Sequence, residues 1–354
     1  MDFDFSPAQY ELRDEARRFL EKECTTDHVR EFIDDPSGWS RALWKQIADL
    51  GWMALPFPEE YGGLGQGFLD LVLLIEELGA ALAPVPFLSS VALAGLVILN
   101  HGSEEQKGRW LPEIAGGDRV AVAVLPTFNH DVETISIRAE NDRLTGERTG
   151  VLDAPAADLF VVAAGVDGEE KWFVVDEGFE VRPQTSYDPT RTLGSVSFDG
   201  VPAEQLDVPI AVGVPFAVAA VCAEMVGVAQ RILDMTVAYT KEREQFGRPI
   251  GGFQAIKHKC AEMAVELEAS RSAALYAAWA VANAEDQDAA ASVAKSSCGD
   301  WLGHLAGEGV QVHGGIGFTW EHDMHLYLRR MKSLEAFCDD AAYHRERIAR
   351  LIEL

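Results

Sequence analysis

Three long, alanine-rich stretches near the C-terminus limit the fold most: "PFAVAAVCAEMVGVAQRILDMTVAYTKEREQFG", "QAIKHKCAEMAVELEASRSAALYAAWAVANAE" and "AAASVAKSSCGDWLGHLAGEGVQVHGG". Each has apolar residues every three or four positions, the period of a helix with a buried face. Helices of this kind bury their stripes against one another, so residues 213–354 are predicted to form an antiparallel four-helix bundle.

Upstream the period changes. Between residues 119 and 212, "RVAVAVL", "ADLFVVAAG", "KWFVVDEGFEVRP" and "GSVSFDGV" are short β-rich runs separated by Gly, Asp, Asn and Pro. They predict a small antiparallel β domain. Residues 1–118 read as a helical domain. Ser6-Pro7 is an N-cap with proline at the first helical position. Leu43, Trp44, Ile47 and Leu50 form a helical stripe closed by Gly51, and "FLDLVLLIEELGAAL" is apolar nearly all round, as a buried helix is. The fold class is α+β: helices, then strands, then a bundle.

Composition narrows the function classes. A formal charge of −27, from 57 acidic and 30 basic residues, argues against nucleic acid and against anionic membrane surfaces. The N-terminus lacks the basic start and apolar core of a signal peptide, and no apolar run approaches a membrane span, so no membrane insertion and a cytoplasmic location are expected. Five cysteines without CxxC spacing suit a reducing compartment rather than a disulfide framework or a zinc site. His304, His313, His322 and His325 match no recognised ligand spacing, so no metal is expected.

Two segments stand out. "KEREQFGRPIGGFQAIKHK" (Lys241–Lys259) reads as helix, polar turn, helix. It offers Arg243 as a rigid fork for a phosphate or pyrophosphate and Phe246 as a flat face for a ring. A corner of solvated charges is the alternative. "EGVQVHGGIGFTWEHD" (Glu308–Asp323) places Gly314, Gly315 and Gly317 after a helix. Adjacent glycines let a ligand approach the backbone, with Gln311 and His313 as hydrogen-bonding partners; a plain helix end is again the alternative. "YGGLGQG" (Tyr61–Gly67) has no nucleotide-loop spacing and reads as a turn.

Taken together, "EREQFGRPIGGFQAIKHKCAEM", "GVQVHGGIGFTWEHDMHLYLRR", "PFPEEYGGLG" and "LIEELGAA" resemble the acyl-CoA dehydrogenase family over essentially the whole chain. The resemblance implies FAD as cofactor and an acyl-CoA substrate. A carboxylate would take the α proton while a β hydride passes to the flavin, and an electron-transfer flavoprotein or similar acceptor would receive the electrons. It also implies that Arg243, Phe246, Gln311 and Gly315 hold the ADP half of FAD across a subunit interface, with Gln245 and Gly314 beside them.

Other positions depart from the family pattern. A family segment like "TEPGAGSD" aligns with "VLPTFNHD" (Val124–Asp131), so Val124 and His130 replace a threonine and a serine that bond the flavin. A family "WITN" aligns with "GVLD", so Gly150 and Leu152 replace a tryptophan and a threonine that pack on it. Neither valine nor leucine donates a hydrogen bond, and glycine has no aromatic face. In "RRMKSLEAFCDD" (Arg329–Asp340), Cys338 stands where the family's glutamate base usually is. Asp339, Asp340 and Glu224 are the candidate replacements, Asp339 foremost, and the absence of any base in this chain is the alternative.

The expectation is FAD-dependent α,β-dehydrogenation of an acyl-CoA thioester by one subunit of an α2β2 hetero-oligomer that shares FAD with a second acyl-CoA dehydrogenase-like subunit. Family members resembling bacterial steroid side-chain enzymes carry Phe-Gly-Asp where this chain has Phe337-Cys338-Asp339, and that resemblance, with the missing usual base, points to a bulky acyl group. A homo-oligomer using Asp339 as base, and a non-catalytic scaffold, are the alternatives.

Overall fold

In the computed structural model, residues 5–126, 136–167, 169–209 and 213–354 are described, with backbone alone at 207–209. The helices α1 (Pro7–Glu23), α2 (Thr26–Glu31), α3 (Arg41–Asp49), α4 (Phe68–Ala80), α5 (Leu96–His101) and α6 (Glu104–Ala115) come first, a π-helical stretch at Leu88–Gly95 running into α5. The strands follow: β1 (Ala121–Val124), β2 (Ile137–Glu140), β3 (Arg143–Leu152), β4 (Leu159–Val166), β5 (Glu169–Val175), β6 (Glu180–Gln184), β7 (Leu193–Pro202) and β8 (Glu204–Pro209). The chain ends with α7 (Gly213–Glu242), a short hairpin of β9 (Glu244–Gln245) and β10 (Arg248–Pro249), α8 (Gln254–Ala282), α9 (Gln287–His313), α10 (Met324–Ala336) and α11 (Ala341–Leu351). Two compact units result, residues 30–71 with 84–217, and residues 1–29 with 72–83 and 218–354.

The first unit holds the sheet. Its order is β6-β7-β3-β2-β4-β5-β8, with β1 beside β4. The sheet is mixed, not purely antiparallel as the strand pattern predicts: β1 and β2 both run parallel to β4. A two-residue period identifies strands but says nothing of their direction. Leu159–Ala164 of β4 is buried without a break, as expected of a strand covered on both faces. In the "YGGLGQG" turn a side chain at Gly63 would meet the Phe57 carbonyl oxygen at 1.8 Å, so only glycine fits.

The second unit is the bundle. Ser6 caps α1 with a full capping box involving Gln9. Glycines bring α4 and α7 into backbone contact: a Cβ on Gly227 would lie 1.9 Å from the Glu76 carbonyl oxygen, and one on Gly79 2.7 Å from that of Glu224. Beside this contact the Arg330 Nη1 of α10 donates to the Glu224 Oε1 of α7 at 2.8 Å, with side-chain exposures of 1% and 3%. The apolar stretch of α4 also buries Glu76 and Glu77. Arg271 pairs with Glu76, and Arg17 grips Glu77 with two donors at 3.1 and 2.7 Å.

The helix Gly213–Glu242 is long and apolar enough to cross a membrane, which corrects the expectation that no run approaches a membrane span. Most of its apolar stretch is buried inside the protein, which is why its faces are apolar.

A buried pair costs most when one partner is removed. Arg330→Met is expected to destabilise the bundle by about 3–5 kcal/mol, and pairing it with Glu224→Leu to recover most of that loss, as measured from urea midpoints at constant slope. Equal destabilisation in the single and double variants would contradict a net role for the pair.

Candidate functional site

α7 ends in a tight reversal. Gln245 pairs with Arg248 and Glu244 with Pro249, leaving Phe246 and Gly247 as a two-residue turn with φ of 53° and 77°. Two positive φ values give the turn whose twist suits a hairpin, usually made by Asn-Gly. A bulky residue there is strained, and such strain persists where the surroundings impose it. Phe246 is 93% exposed, with its ring edge-on to Phe253 at 6.1 Å. The side chains of Arg243 and Gln245 are also exposed, and the Gln245 amide donates to the Glu244 carbonyl at 2.7 Å. An aromatic ring is therefore held away from the core by a fixed backbone.

The end of α9 carries the second group. Gln311 is exposed, and so are Gly314 and Gly315, where a Cβ would have nothing within 4 Å of it. Gly314 has φ 65° and ψ −145°, a conformation almost confined to glycine. His313, expected to face a ligand, is instead buried. Its ring stacks on Tyr239 at 4.4 Å, its Nδ1 lies 2.7 Å from the Gly309 carbonyl, and burial holds its pKa below the ordinary value. Position along the helix decides this: His313 and Gln311 are two residues apart and face different sides.

The loop after α10 holds the base candidates. Cys338 and Asp339 are both left-handed, with φ of 59° and 66°. Cys338 is buried, and burial pushes its thiol up to about 12, which disqualifies it as a base near neutrality. Asp340 is the N-cap of α11, its Oδ1 accepting from the Tyr343 amide at 2.8 Å. Glu224 is bound to Arg330 in the core. Asp339 lies half-exposed on the turn. Lys295, wholly buried on α9, donates to the carbonyls of Glu335 at 2.9 Å and Asp339 at 2.6 Å. His344 Nε2 lies 2.8 Å from the Cys338 carbonyl, which requires the Nε2–H tautomer.

Of the described positions aligned with the flavin ring, two are buried and Gly150 is exposed, with open space where a side chain would stand. Val124 is buried in β1, and Leu152 is buried at the end of β3. Gly150 has φ 68° at a register shift between β3 and β7, and its amide donates to Gln184 Oε1 at 2.8 Å. A bulky aromatic side chain in that left-handed backbone would be strained. His130 and Asp131 lie outside the described residues.

Residues 6–118 match the model for the acyl-CoA dehydrogenase N-terminal domain, and residues 216–352 that for the C-terminal domain. The chain belongs to the acyl-CoA dehydrogenase family. As an acyl-CoA dehydrogenase family member it is an oxidoreductase by kinship. It is 33% identical to the acyl-CoA dehydrogenase IpdE2 of Mycolicibacterium smegmatis over 90% of both chains. Its fold matches a structure described as the Tcur3481-Tcur3483 steroid ACAD G363A variant, with TM-score 0.91, 30% identity and 98% of each chain covered. It also matches the ChsE4-ChsE5 complex from Mycobacterium tuberculosis, with TM-score 0.91, 29% identity, and 100% of this chain and 99% of that one covered.

Lys295 and His344 are functional candidates that the sequence alone does not single out. One signal is present in it: Lys295 is the sole basic residue of α9 apart from its histidines, set among alanines and serines.

His344 yields a pH prediction. Burial lowers its pKa from 6.5 to about 4, so the unfolded chain binds the extra proton as pH falls through that window. Its contribution to stability is complete above pH 6.5 and is lost progressively toward pH 4. At pH 5 the loss is about 2 kcal/mol. His344→Gln, which keeps a donor, is expected to flatten the fall in urea midpoint between pH 7 and 5; an unchanged slope would contradict the assignment.

Proposed function

We propose that this chain takes part in FAD-dependent α,β-dehydrogenation of an acyl-CoA thioester as one subunit of an α2β2 hetero-oligomer. Arg243, Gln245, Phe246, Gln311, Gly314 and Gly315 would hold the nucleotide end of an FAD whose ring is seated in a second acyl-CoA dehydrogenase-like subunit. The observation that carries this reading is Phe246, 93% exposed on a strained turn. A large ring fixed in that way suits an adenine or pyrophosphate neighbour supplied from outside its own unit. The open space over Gly314 and Gly315 suits the same group. The buried Val124 and Leu152 have no hydrogen-bond donor for the ring and Gly150 has no aromatic face, which favours a partner over a second copy of this chain. The two-chain names of the steroid ACAD and ChsE4-ChsE5 structures support a partner, and the former supports a bulky, steroid-type acyl group.

FAD, when bound, supplies the acceptor for a hydride from the β carbon. The arginine contributes a forked cation for the pyrophosphate, and the phenylalanine a face for a ring. Electrons would leave to an electron-transfer flavoprotein or similar acceptor.

A second reading is favoured by the loop geometry, in which Asp339 is held half-exposed on a turn fixed by Lys295. Here the chain works as a homo-oligomer, and the Asp339 carboxylate takes the α proton made acidic by the thioester.

Two variants of the co-purified assembly test the first reading. Arg243→Gln and Phe246→Ala are each expected to weaken FAD retention about tenfold or more, with the subunits still assembled by size-exclusion chromatography. Unchanged FAD affinity in both would refute it. For the second, Asp339→Asn is expected to slow reduction by acyl-CoA at least about a hundredfold at full flavin content, and wild-type rates would end that reading.

A further inference from the structure

We infer that Lys295 is a positioning residue that sets which side chain the loop after α10 displays, withdrawing Cys338 and presenting Asp339. Its catalytic meaning rests on the reading in which Asp339 is the base; the geometric part stands without it.

The last carbonyls of a helix such as α10 have no partners within the helix and carry the negative end of its dipole. Lys295 enters from α9 with its side chain buried and bonds to the Glu335 carbonyl, inside α10, and to the Asp339 carbonyl, beyond it. One ammonium thereby ties the last turn of the helix to a residue four positions on. From the other side, His344 of α11 holds the Cys338 carbonyl. Asp340 closes the segment by capping α11.

With successive carbonyls held by two different helices, Cys338 and Asp339 adopt two left-handed conformations in a row, without a glycine at either place. Such conformations persist only when the surroundings over-determine them. Their result is the observed division: the thiol is buried and the next carboxylate is half-exposed. A neutral side chain at 295 would leave both carbonyls without this donor, and the chain would relax toward ordinary backbone angles, turning Cys338 outward.

The test uses the assembly as purified, in a Cys260→Ser background because Cys260 is the half-exposed cysteine. Lys295→Met keeps an unbranched side chain one atom shorter and removes the charge and donors. Iodoacetamide labelling, mapped by peptide mass spectrometry, is expected to rise about tenfold or more at Cys338 relative to the parent, while Lys295→Arg, which keeps donors, rises less. No rise at Cys338 in folded Lys295→Met overturns the inference. Should that variant fail to fold, His344→Phe removes the opposite clamp, and its Cys338 must then label faster; protection equal to the parent overturns the inference.

The catalytic part has its own readout. In Lys295→Met, kcat for acyl-CoA oxidation should fall about tenfold or more with KM within about twofold, since a displaced base impairs chemistry rather than binding. Faster labelling with unchanged kcat would keep Lys295 as the determinant of the loop and remove Asp339 from the chemistry. Full activity of Asp339→Asn would do the same to the base reading alone.

Discussion

The bundle unit is organised around one buried contact, the ion pair between Glu224 of α7 and Arg330 of α10. It forms because glycines let α4 and α7 touch at Gly79 and Gly227, which closes the space around the carboxylate to water. A carboxylate in such a place requires a cation, and Arg330 provides a forked one. The pair fixes α10 against α7, and with α10 fixed, its last turn lies where Lys295 of α9 can hold it. The loop that follows inherits its geometry from this arrangement. The pair also explains why Glu224, though a carboxylate on a central helix, is structural.

Two kinds of position separate cleanly in this acyl-CoA dehydrogenase family member. Residues that the family resemblance aligns with the nucleotide end of FAD are exposed: Phe246 on its hairpin, and Gln311 with the two glycines after α9. Of the described residues aligned with the ring end, Val124 and Leu152 are apolar and buried, and Gly150 is an exposed glycine in a left-handed bulge. The proposed sharing of one FAD between unlike subunits predicts this division between the two sets of positions.

Much of this was legible in the sequence. Alanine-rich stretches with helical period announced the bundle, and the Ser6 and Gly51 signals set helix ends near where they stand. A polar turn between two helices within Lys241–Lys259 was visible from its paired glycines, Gly251 and Gly252. Strand direction in β1, β2 and β4 was not visible, since pairing depends on contacts remote in sequence. Nor was the burial of Glu76 and Glu77, whose partners Arg271 and Arg17 are brought to them by folding. The inward turn of His313 and the role of Lys295 were hidden for the same reason: a side chain's neighbours on other helices decide its job.

If one chain supplies one end of the cofactor site and an unlike chain the other, the stoichiometry of the particle must show it. Native mass spectrometry of the assembly co-purified from its source counts both directly. Two copies of this chain, two of a different acyl-CoA dehydrogenase-like chain and two FAD per particle are the expected composition. A particle built from this chain alone, with one FAD for every copy, would contradict shared occupancy.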